Sequence, residues 1–587
     1  MSFEFPSVKC VLLIVLGVMY AGVVSAQSVP FTWDNATVYF VMTDRFANGR
    51  SDNDAAYGRG LDGDQNPYAA EGDKKFVGGD FAGLTSKLNE GYFENLGIDA
   101  IWISPPFEQI HGWVAAPGGR EQSYAYHGYW LLDPTELDAN FGTPEEFRQL
   151  VDTAHSKGVR VIVDIVINHP GYATMADMDE FGFGELDSLW RGWRPSQGES
   201  WNSFHDKFVD YSTVSDSTGW ADWWGPAWIR AGLSGHDDCG SEDLTLCLSA
   251  LPDFKTDSAD EVEIPQFLLN KWGDEKARAE MASLDAYFQR TGYRRTPVNY
   301  LIKWATDLVR EFGIDGYRID TAKHVESENW YRLISEATSA HREFWSQHEP
   351  PAGFQPMPFW TVGEIYGLSP GMVDNPADIA FDAYINFELP YRDLLDVHEV
   401  DSLYLAYSNY IGNPENKSFL SYVSSHDEGL ADRTNAYDLA TRFVMMPGAI
   451  QLLFGDELSR GLDAASGDRI QLSRTPIDWE SLDEEILTHW QKLLQFRQRH
   501  PAIGAGGHEM IESSPHIFRR SFGYGTYRDE AVIVIGAKGR TRINVSKSFG
   551  DDSLVRDAYS GKTSLVTFGF VTLTADPSGI MLLEEAN

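Results

Sequence analysis

Eight short β-rich runs punctuate this chain, several of them separated by stretches of helical pattern. They are Thr37–Met42, Ala100–Ser104, Arg160–Val166, Asp315–Asp320, Phe359–Gly363, Ile379–Phe387, Phe419–Ser425 and Ala449–Phe454. Apolar runs of this length read as strands buried on both faces, which is how parallel strands are built. Pro144–Lys157, opened by Thr143 as N-cap and closed by Gly158, reads as a helix, as does Val298–Phe312. Eight strands in β/α alternation predict a closed parallel (β/α)8 barrel, an α/β fold. Pro170–Phe254 breaks the rhythm, being rich in Gly, Asp and Trp, and is expected to be an insertion after the third strand. From about Gly504, the runs Ile517–Phe522, Ala531–Ile535, Ser564–Leu573 and Ile580–Leu583 predict a small antiparallel β domain. No sequence repeat and no long low-complexity linker interrupts this plan.

The first residues read as an address. An apolar run from Val11 to Val24 ends in Val24–Ala26 before Gln27, the small-residue pattern of a signal-peptidase site. The run is short for a membrane span, and the flanking charges are only Lys9 and Glu4, so the alternative is an uncleaved anchor. Expected boundaries are a signal peptide over 1–26, barrel over 27–169 and 256–503, insertion over 170–255 and C-terminal β domain over 504–587. Beyond the apolar segment only Cys239 and Cys247 remain. An even count at short spacing in an exported chain suggests one local disulfide, two buried thiols being the alternative. With 47 Lys plus Arg against 87 Asp plus Glu, the formal charge is −40. That disfavours nucleic acid and anionic membranes as partners and suits an exported, soluble monomer.

Polar residues collect where these strands end. In a barrel of this class the site lies at the C-terminal strand ends. The third strand runs out through Asp164 to Asn168 and His169, the fourth through Arg318 and Asp320, the fifth at Glu364 and the seventh at His426 and Asp427. Each alone reads as a cap; four in order do not. Arg318 and Asp320 share one face of a strand, and a buried guanidinium without partners would cost several kcal/mol. Asp164 is the expected partner. Asp320, Glu364 and Asp427 are then left around one space, which fits either a metal site or glycosidic-bond chemistry with carboxylates roughly 5 Å apart.

These motifs resemble glycoside hydrolase family 13, the α-amylase family. Asp164–His169, Gly316–His324, Gly363–Tyr366 and Val423–Asp427 are similar to its four signature regions. Leu251–Phe254 is similar to its additional region, and Tyr126–Trp130 followed by Asn140–Thr143 also match, so the likeness runs from about Asn35 to Pro501. The resemblance implies that Asp320 is a nucleophile, Glu364 a general acid/base and Asp427 a third carboxylate that holds the sugar. It implies that Arg318 orients Asp320, that His169 and His426 bond sugar hydroxyls, and that Lys323 and His324 line the leaving-group side. Tyr129 would be a platform under the ring and His127 a minor contact; the plain alternative for Tyr129 and Trp130 is core packing.

Calcium is implied twice, since hard cations take side-chain and carbonyl oxygens. One site would use Asn48, Asn53, Asp54, Gly78 and Asp80, with Arg50 standing where relatives often carry a ligand. The other would use Asn168, Asp253 and the His324 carbonyl. Turn chemistry alone is the alternative for both. Leu251–Phe254 is of the amylase kind, and Ser249 stands where cyclodextrin-forming relatives carry a large aromatic. Asp243–Asp257 and Gly316–Glu326 look most like exported, periplasmic α-amylases. The implied substrate is an α-glucan such as starch, glycogen or maltodextrin. A transglycosylase or α-glucosidase on the same barrel is the enzymatic alternative, and a non-catalytic sugar-binding homologue the other. Trp190, Trp193, Trp201, Trp220, Trp223, Trp224 and Trp228 could add sugar platforms or form the core of the insertion.

Overall fold

A computed structural model describes residues 29–59, 75–115, 122–183, 186–193, 207–209, 223–233, 235–372, 379–461 and 472–586. The proposed signal segment, Trp201 and Trp220 lie outside them. Eight parallel strands close a barrel: β1 (Thr37–Val41), β2 (Ala100–Ile103), β3 (Arg160–Ile165), β4 (Gly316–Ile319), β5 (Trp360–Gly363), β6 (Ala383–Asn386), β7 (Ser418–Ser421) and β8 (Ala449–Leu453). Each strand pairs with its chain neighbours, and β1 pairs with β8, Thr37 opposite Ile450. All five residues of β1 and of β8 are buried, as parallel strands covered by helices require.

The helices form where the periodicity placed them. Pro144–Ser156 is started by a capping box: the Thr143 hydroxyl accepts from the Glu146 N–H, and the Glu146 carboxylate accepts from the Thr143 N–H. Gly158 follows at φ +78°, where a side chain would be strained. Pro297–Phe312 is buried on all sides over Pro297–Thr306 and on one face beyond, through Leu308, Val309 and Phe312. Before it runs a helix over Gln266–Thr291, broken at Gly273, whose φ is +66°; sequence periodicity left that helix unassigned. The sixth and seventh strands are shorter than expected, because Ile379–Asp382 and Tyr422–Ser425 are loop.

Within the insertion the described pieces are short. They include a helix over Met175–Phe181 and a two-stranded pairing of Ile229–Arg230 with Asp253–Phe254. Cys239 and Cys247 are joined by a disulfide. Trp223, Trp224 and Trp228 are buried against Phe254 and Phe267, so these three are core. Trp190 and Trp193 are partly buried against the same core.

The C-terminal segment forms a six-stranded antiparallel sheet beside a two-stranded one. The single run expected over Ser564–Leu573 is two strands, Thr563–Leu565 and Phe570–Thr574, parted by a turn in which Phe568 and Gly569 both have positive φ. This sheet is seated on the barrel by buried charge. Asp401, on the helix Val397–Ile411, accepts from both His508 and His516 at 3.0 and 2.9 Å. At the foot of the barrel the buried Arg497 guanidinium donates to the carbonyls of Asn35, Val444 and Met446 at 3.1, 2.8 and 2.7 Å, and to that of Gly448. Asn35, two residues before β1, is thereby clasped to the chain that leads into β8.

Candidate active site

Strand register creates the central ion pair. Arg318 on β4 lies directly opposite Asp164 on β3, so both side chains project from one face of the sheet at the same level. Arg318 Nη1 contacts both Asp164 oxygens, at 3.0 and 3.1 Å, and Asp320 Oδ1 at 2.6 Å; its Nη2 reaches Glu364 Oε1 at 2.9 Å. The guanidinium is 1% exposed, so it is a buried cation compensated by three carboxyl groups. The Asp164 Oδ2 also accepts from Trp102 Nε1 (3.2 Å) and the Tyr129 hydroxyl (2.8 Å).

The backbone sets the catalytic carboxyls one step above this pair. Past the end of β4 the Asp320 N–H donates to Ile165 and the Glu364 N–H to Ile319, extending both ladders by one residue. Thr321 then turns into the left-handed region (φ +49°), and its N–H donates to Glu364 Oε2 at 2.9 Å. A β-branched residue with positive φ is strained and persists where its surroundings hold it. Here the strained turn aims a backbone donor at the Glu364 carboxyl.

His426 joins the other side of the site. Its Nε2 lies 3.0 Å from both the Tyr129 hydroxyl and Asp427 Oδ2, and its ring stacks on Tyr129 at 5.5 Å and 7°. Arg474 Nη2 donates to Asp427 Oδ1 at 2.8 Å, while its Nε donates to the His426 carbonyl. Asp427 is 47% exposed, at the mouth of the cleft. His169 Nε2 is 3.3 Å from the Tyr129 carbonyl, and His127 Nδ1 accepts from the Tyr129 N–H at 3.1 Å. Tyr129 is thus half-buried and held by four partners. Lys323 and His324 lie at the edge of the insertion: Lys323 Nζ pairs with Asp243 at 3.3 Å, and His324 Nδ1 donates to the Asp243 carbonyl at 2.6 Å.

Electrostatics separates the three carboxyls. Burial pushes Glu364 up to about 7, Arg318 opposing the shift while Asp320 and Asp427 reinforce it. Burial also raises Asp320, against the pull of Arg318, and lifts Asp164 to about 8. Burial acts on Asp427 in the same sense, but His426, Arg474 and Arg318 overturn it and hold this carboxyl well below the usual range. Burial takes His169 down to about 4, so it is neutral at pH 7. One carboxyl that stays ionised and another that keeps its proton near neutrality are the ingredients of acid/base work.

Two of the residues considered for calcium, Asn168 and Asn53, carry unmet polar demand among the described residues. Asn168 Oδ1 is buried with no hydrogen-bond partner among the described residues, and the Asn168 carbonyl accepts from the Phe254 N–H, next to Asp253. Burial raises Asp253 to about 7, although Arg230 Nη1 contacts its Oδ2 at 3.0 Å. In the other loop Asn53 Oδ1 is buried with no hydrogen-bond partner among the described residues, and burial raises both Asp54 and Asp80. A Cβ at Gly78 would come within 2.3 Å of Asn48 Nδ2, so glycine alone fits there. Asp80 doubles as N-cap of the helix Phe81–Asn89, and Arg50 is turned away into pairs with Asp52 and Glu146. No group of three or more His, Cys, Asp or Glu side chains gathers as a metal cluster among the described residues, and it is the side-chain carbonyl oxygens of Asn168 and Asn53 that suit an oxygen-seeking cation.

Sequence reasoning missed Arg474, Trp102 and Asp243. Trp102 sat in a recognised strand, two residues from its end, and could have been found by asking which side chains share the inward face with Asp164. Arg474 carries no local signal.

The alpha-amylase catalytic-domain model matches residues 40–210. A periplasmic alpha-amylase of Escherichia coli (strain K12) is 41% identical over 526 residues, covering 87% of this chain and 73% of that protein. Among solved structures, the alpha-amylase from Geobacillus thermoleovorans superposes with a TM-score of 0.57 at 19% identity, over 95% of this chain and 100% of that one. CldA, a cyclomaltodextrin glucanotransferase, superposes with a TM-score of 0.59 at 20% identity, over 94% and 99%; these two likenesses show the fold. Barrel and sequence likeness together make this protein a glycoside hydrolase. Within that class the chain belongs to the α-amylase family, glycoside hydrolase family 13.

Proposed function

We propose that this protein is an exported, retaining α-amylase that cleaves α-1,4-glucosidic bonds of starch, glycogen or maltodextrins. The observation that carries the mechanism is one guanidinium contacting both Asp320 and Glu364. Two carboxyls bridged by a single planar group are close neighbours, which favours the short spacing of retaining enzymes over the wide gap that accommodates a water in inverting ones. Asp320, paired with Arg318, attacks the anomeric carbon. Glu364 protonates the departing oxygen and then, as carboxylate, takes a proton from water to release the sugar with net retention. Asp427, kept anionic by His426 and Arg474, accepts hydrogen bonds from sugar hydroxyls and opposes the positive charge that develops on the ring. His169 and His426 bond hydroxyls, Tyr129 supports the ring, His127 buttresses Tyr129, and Lys323 and His324 border the leaving side.

Export rests on the apolar segment ending at Ala26 and on the periplasmic relative. We read the chain as a monomer with barrel over 27–169 and 256–503, insertion over 170–255 and C-terminal domain over 504–587. Digesting soluble starch while following product size and anomeric form tests the activity: α-anomeric maltodextrins are expected, and β-anomeric products would refute retention.

The shifts predict a pH profile. Asp320 must be ionised and its carboxyl is raised, so activity is lost as pH falls through that elevated value. Glu364 must be protonated and sits at about 7, so kcat/KM falls tenfold per pH unit above that point. The alkaline limb is absent in Glu364→Gln; a limb that survives this substitution belongs to another group.

Calcium at Asn168, Asp253 and the His324 carbonyl would join barrel to insertion, and at the Asn48–Asp80 loop would brace the first strand's exit; its contribution is structural. Calcium a thousandfold above its Kd is expected to stabilise by about 4 kcal/mol, read as a rise in melting temperature reversed by chelator. Asn168→Ala removes part of that rise. Identical melting curves with chelator and with calcium would refute both sites.

A further inference from the structure

At the foot of the barrel, away from the catalytic cleft, a buried arginine lines a cavity without a carboxylate to face. Arg160 is the first residue of β3, the strand that carries Asp164 near its other end, and it is 5% exposed. The cavity measures about 290 Å³ and gathers chain from several places. Phe31 comes from before β1, Asp99 from before β2, Phe354 and Gln355 from before β5, and Gln498 from the helix Glu484–Arg499. Ligand pockets begin at roughly 300 Å³, so this one suits a small ion with its water better than a sugar chain.

The guanidinium is short of acceptors. Its Nη2 donates to the Gln355 carbonyl at 3.1 Å. Among the described residues Nε is buried with no partner, no hydrogen bond reaches Nη1, and no carboxylate comes within 4.0 Å. The Phe31 ring lies 3.6 Å from Cζ and the Phe354 ring 5.4 Å. Such faces favour a cation but leave its in-plane donors unused. Arg318 by contrast meets three carboxyl groups, and Arg497 four backbone carbonyls. Burial pulls Arg160 below its ordinary value, Asp315 and Asp99 opposing without cancelling the shift. Asp99 lines the same cavity, but both its oxygens are engaged elsewhere. Its Oδ2 accepts from the Thr37 N–H at 2.9 Å and its Oδ1 from Gln498 Nε2 at 3.2 Å.

We propose that this cavity is an anion site in which Arg160, through Nη1, binds a small oxyanion of the sulfate, phosphate or carboxylate kind. A guanidinium donor to a charged oxygen makes one of the stronger hydrogen bonds available to a protein, and the ion supplies the negative partner that the surrounding chain withholds. The formal charge of −40 gives the protein no general attraction for anions, so affinity here is local to the guanidinium. A bound ion ties the segment before β1 to the loop before β5, and so acts on the stability of the barrel's lower rim. The site stands apart from the amylase reading and holds whether or not starch is the substrate.

Equilibrium dialysis of the full chain against radiolabelled sulfate, at fixed ionic strength set with sodium chloride, tests this. One sulfate per chain is expected, with a saturable rise in melting temperature over the same concentrations. Arg160→Gln is expected to weaken binding at least tenfold, the loss of a charge-assisted hydrogen bond, and to abolish the saturable rise. Arg160→Lys keeps the charge without the fork and should bind with intermediate affinity, which serves as the comparison if the Gln variant does not fold. Any gradual stabilisation common to all three chains is the general effect of sulfate exclusion and is subtracted. Acetate competing with sulfate extends the ligand class to carboxylates, and its failure to compete restricts the class to tetrahedral oxyanions. No sulfate bound to the wild-type chain, or binding unchanged in the variants that fold, overturns the proposal.

Discussion

Replacing Glu364 by Gln should lower kcat on soluble starch by about 10²–10⁴-fold, the contribution of a positioned general acid/base, while the glycosylation step with an α-maltosyl fluoride is largely retained. Fluoride departs without a proton, so the acid is dispensable for that step, whereas starch needs it to release a glucose hydroxyl. Replacing Asp320 by Asn should instead abolish both reactions, because no covalent intermediate forms whatever the leaving group. The pair of substitutions thus separates the two carboxyls by role. Stopped assays with both substrates on both variants check it; equal losses on fluoride and starch in Glu364→Gln would remove the acid/base assignment. Gln keeps one acceptor oxygen for Arg318 but turns its NH2 toward the Thr321 N–H, so a melting curve on the variant accompanies the comparison.

Arg318→Met is the second large effect. It leaves Asp164, Asp320 and Glu364 as three buried carboxyls with their shared cation gone. Removing one partner from a buried charge group typically costs 3–5 kcal/mol, and the expected loss of stability is about that size. The carboxyls respond by taking up protons, so Asp320 is neutralised and activity at neutral pH collapses. Arg318→Lys restores charge without the two-pronged geometry, and should recover stability more than activity. Denaturant melts and a pH–rate profile on both variants check the split; a stable, active Arg318→Met protein would show that the cluster does not depend on the guanidinium.

These effects were partly visible in the sequence because the site is built on strand ends. The two-residue step from Arg318 to Asp320 places both on one face in any strand, and the third strand supplies Asp164 in the register the barrel imposes. Glu364 and Asp427 were legible for the same reason, as carboxyls at strand ends in order around a ring. Arg474 was not, since it lies on no barrel strand and meets Asp427 only through tertiary proximity. The turn between Thr563–Leu565 and Phe570–Thr574 was also hidden. Val566 in the turn and Val571 in the second strand continue the apolar pattern across it, and nothing local announces that Phe568 takes positive φ. The helix Gln266–Thr291 was missed because Gly273 interrupts it and its apolar residues cluster at the two ends.

Arg497 has a bearing on how the chain reaches this state. It grips Asn35 on one side and the carbonyls leading into β8 on the other, and the Asn35 side chain returns a bond to Arg497 across 462 residues of sequence. A nascent chain stopped before β8 can pair β1 with β2 on one edge but has nothing for its other edge and no clasp to hold the ring. Such distant contacts are repaid only after the whole intervening chain is in place, which makes folding slow. The ring closes only when β8 arrives, and until then the β8-facing edge of β1 has no partner strand.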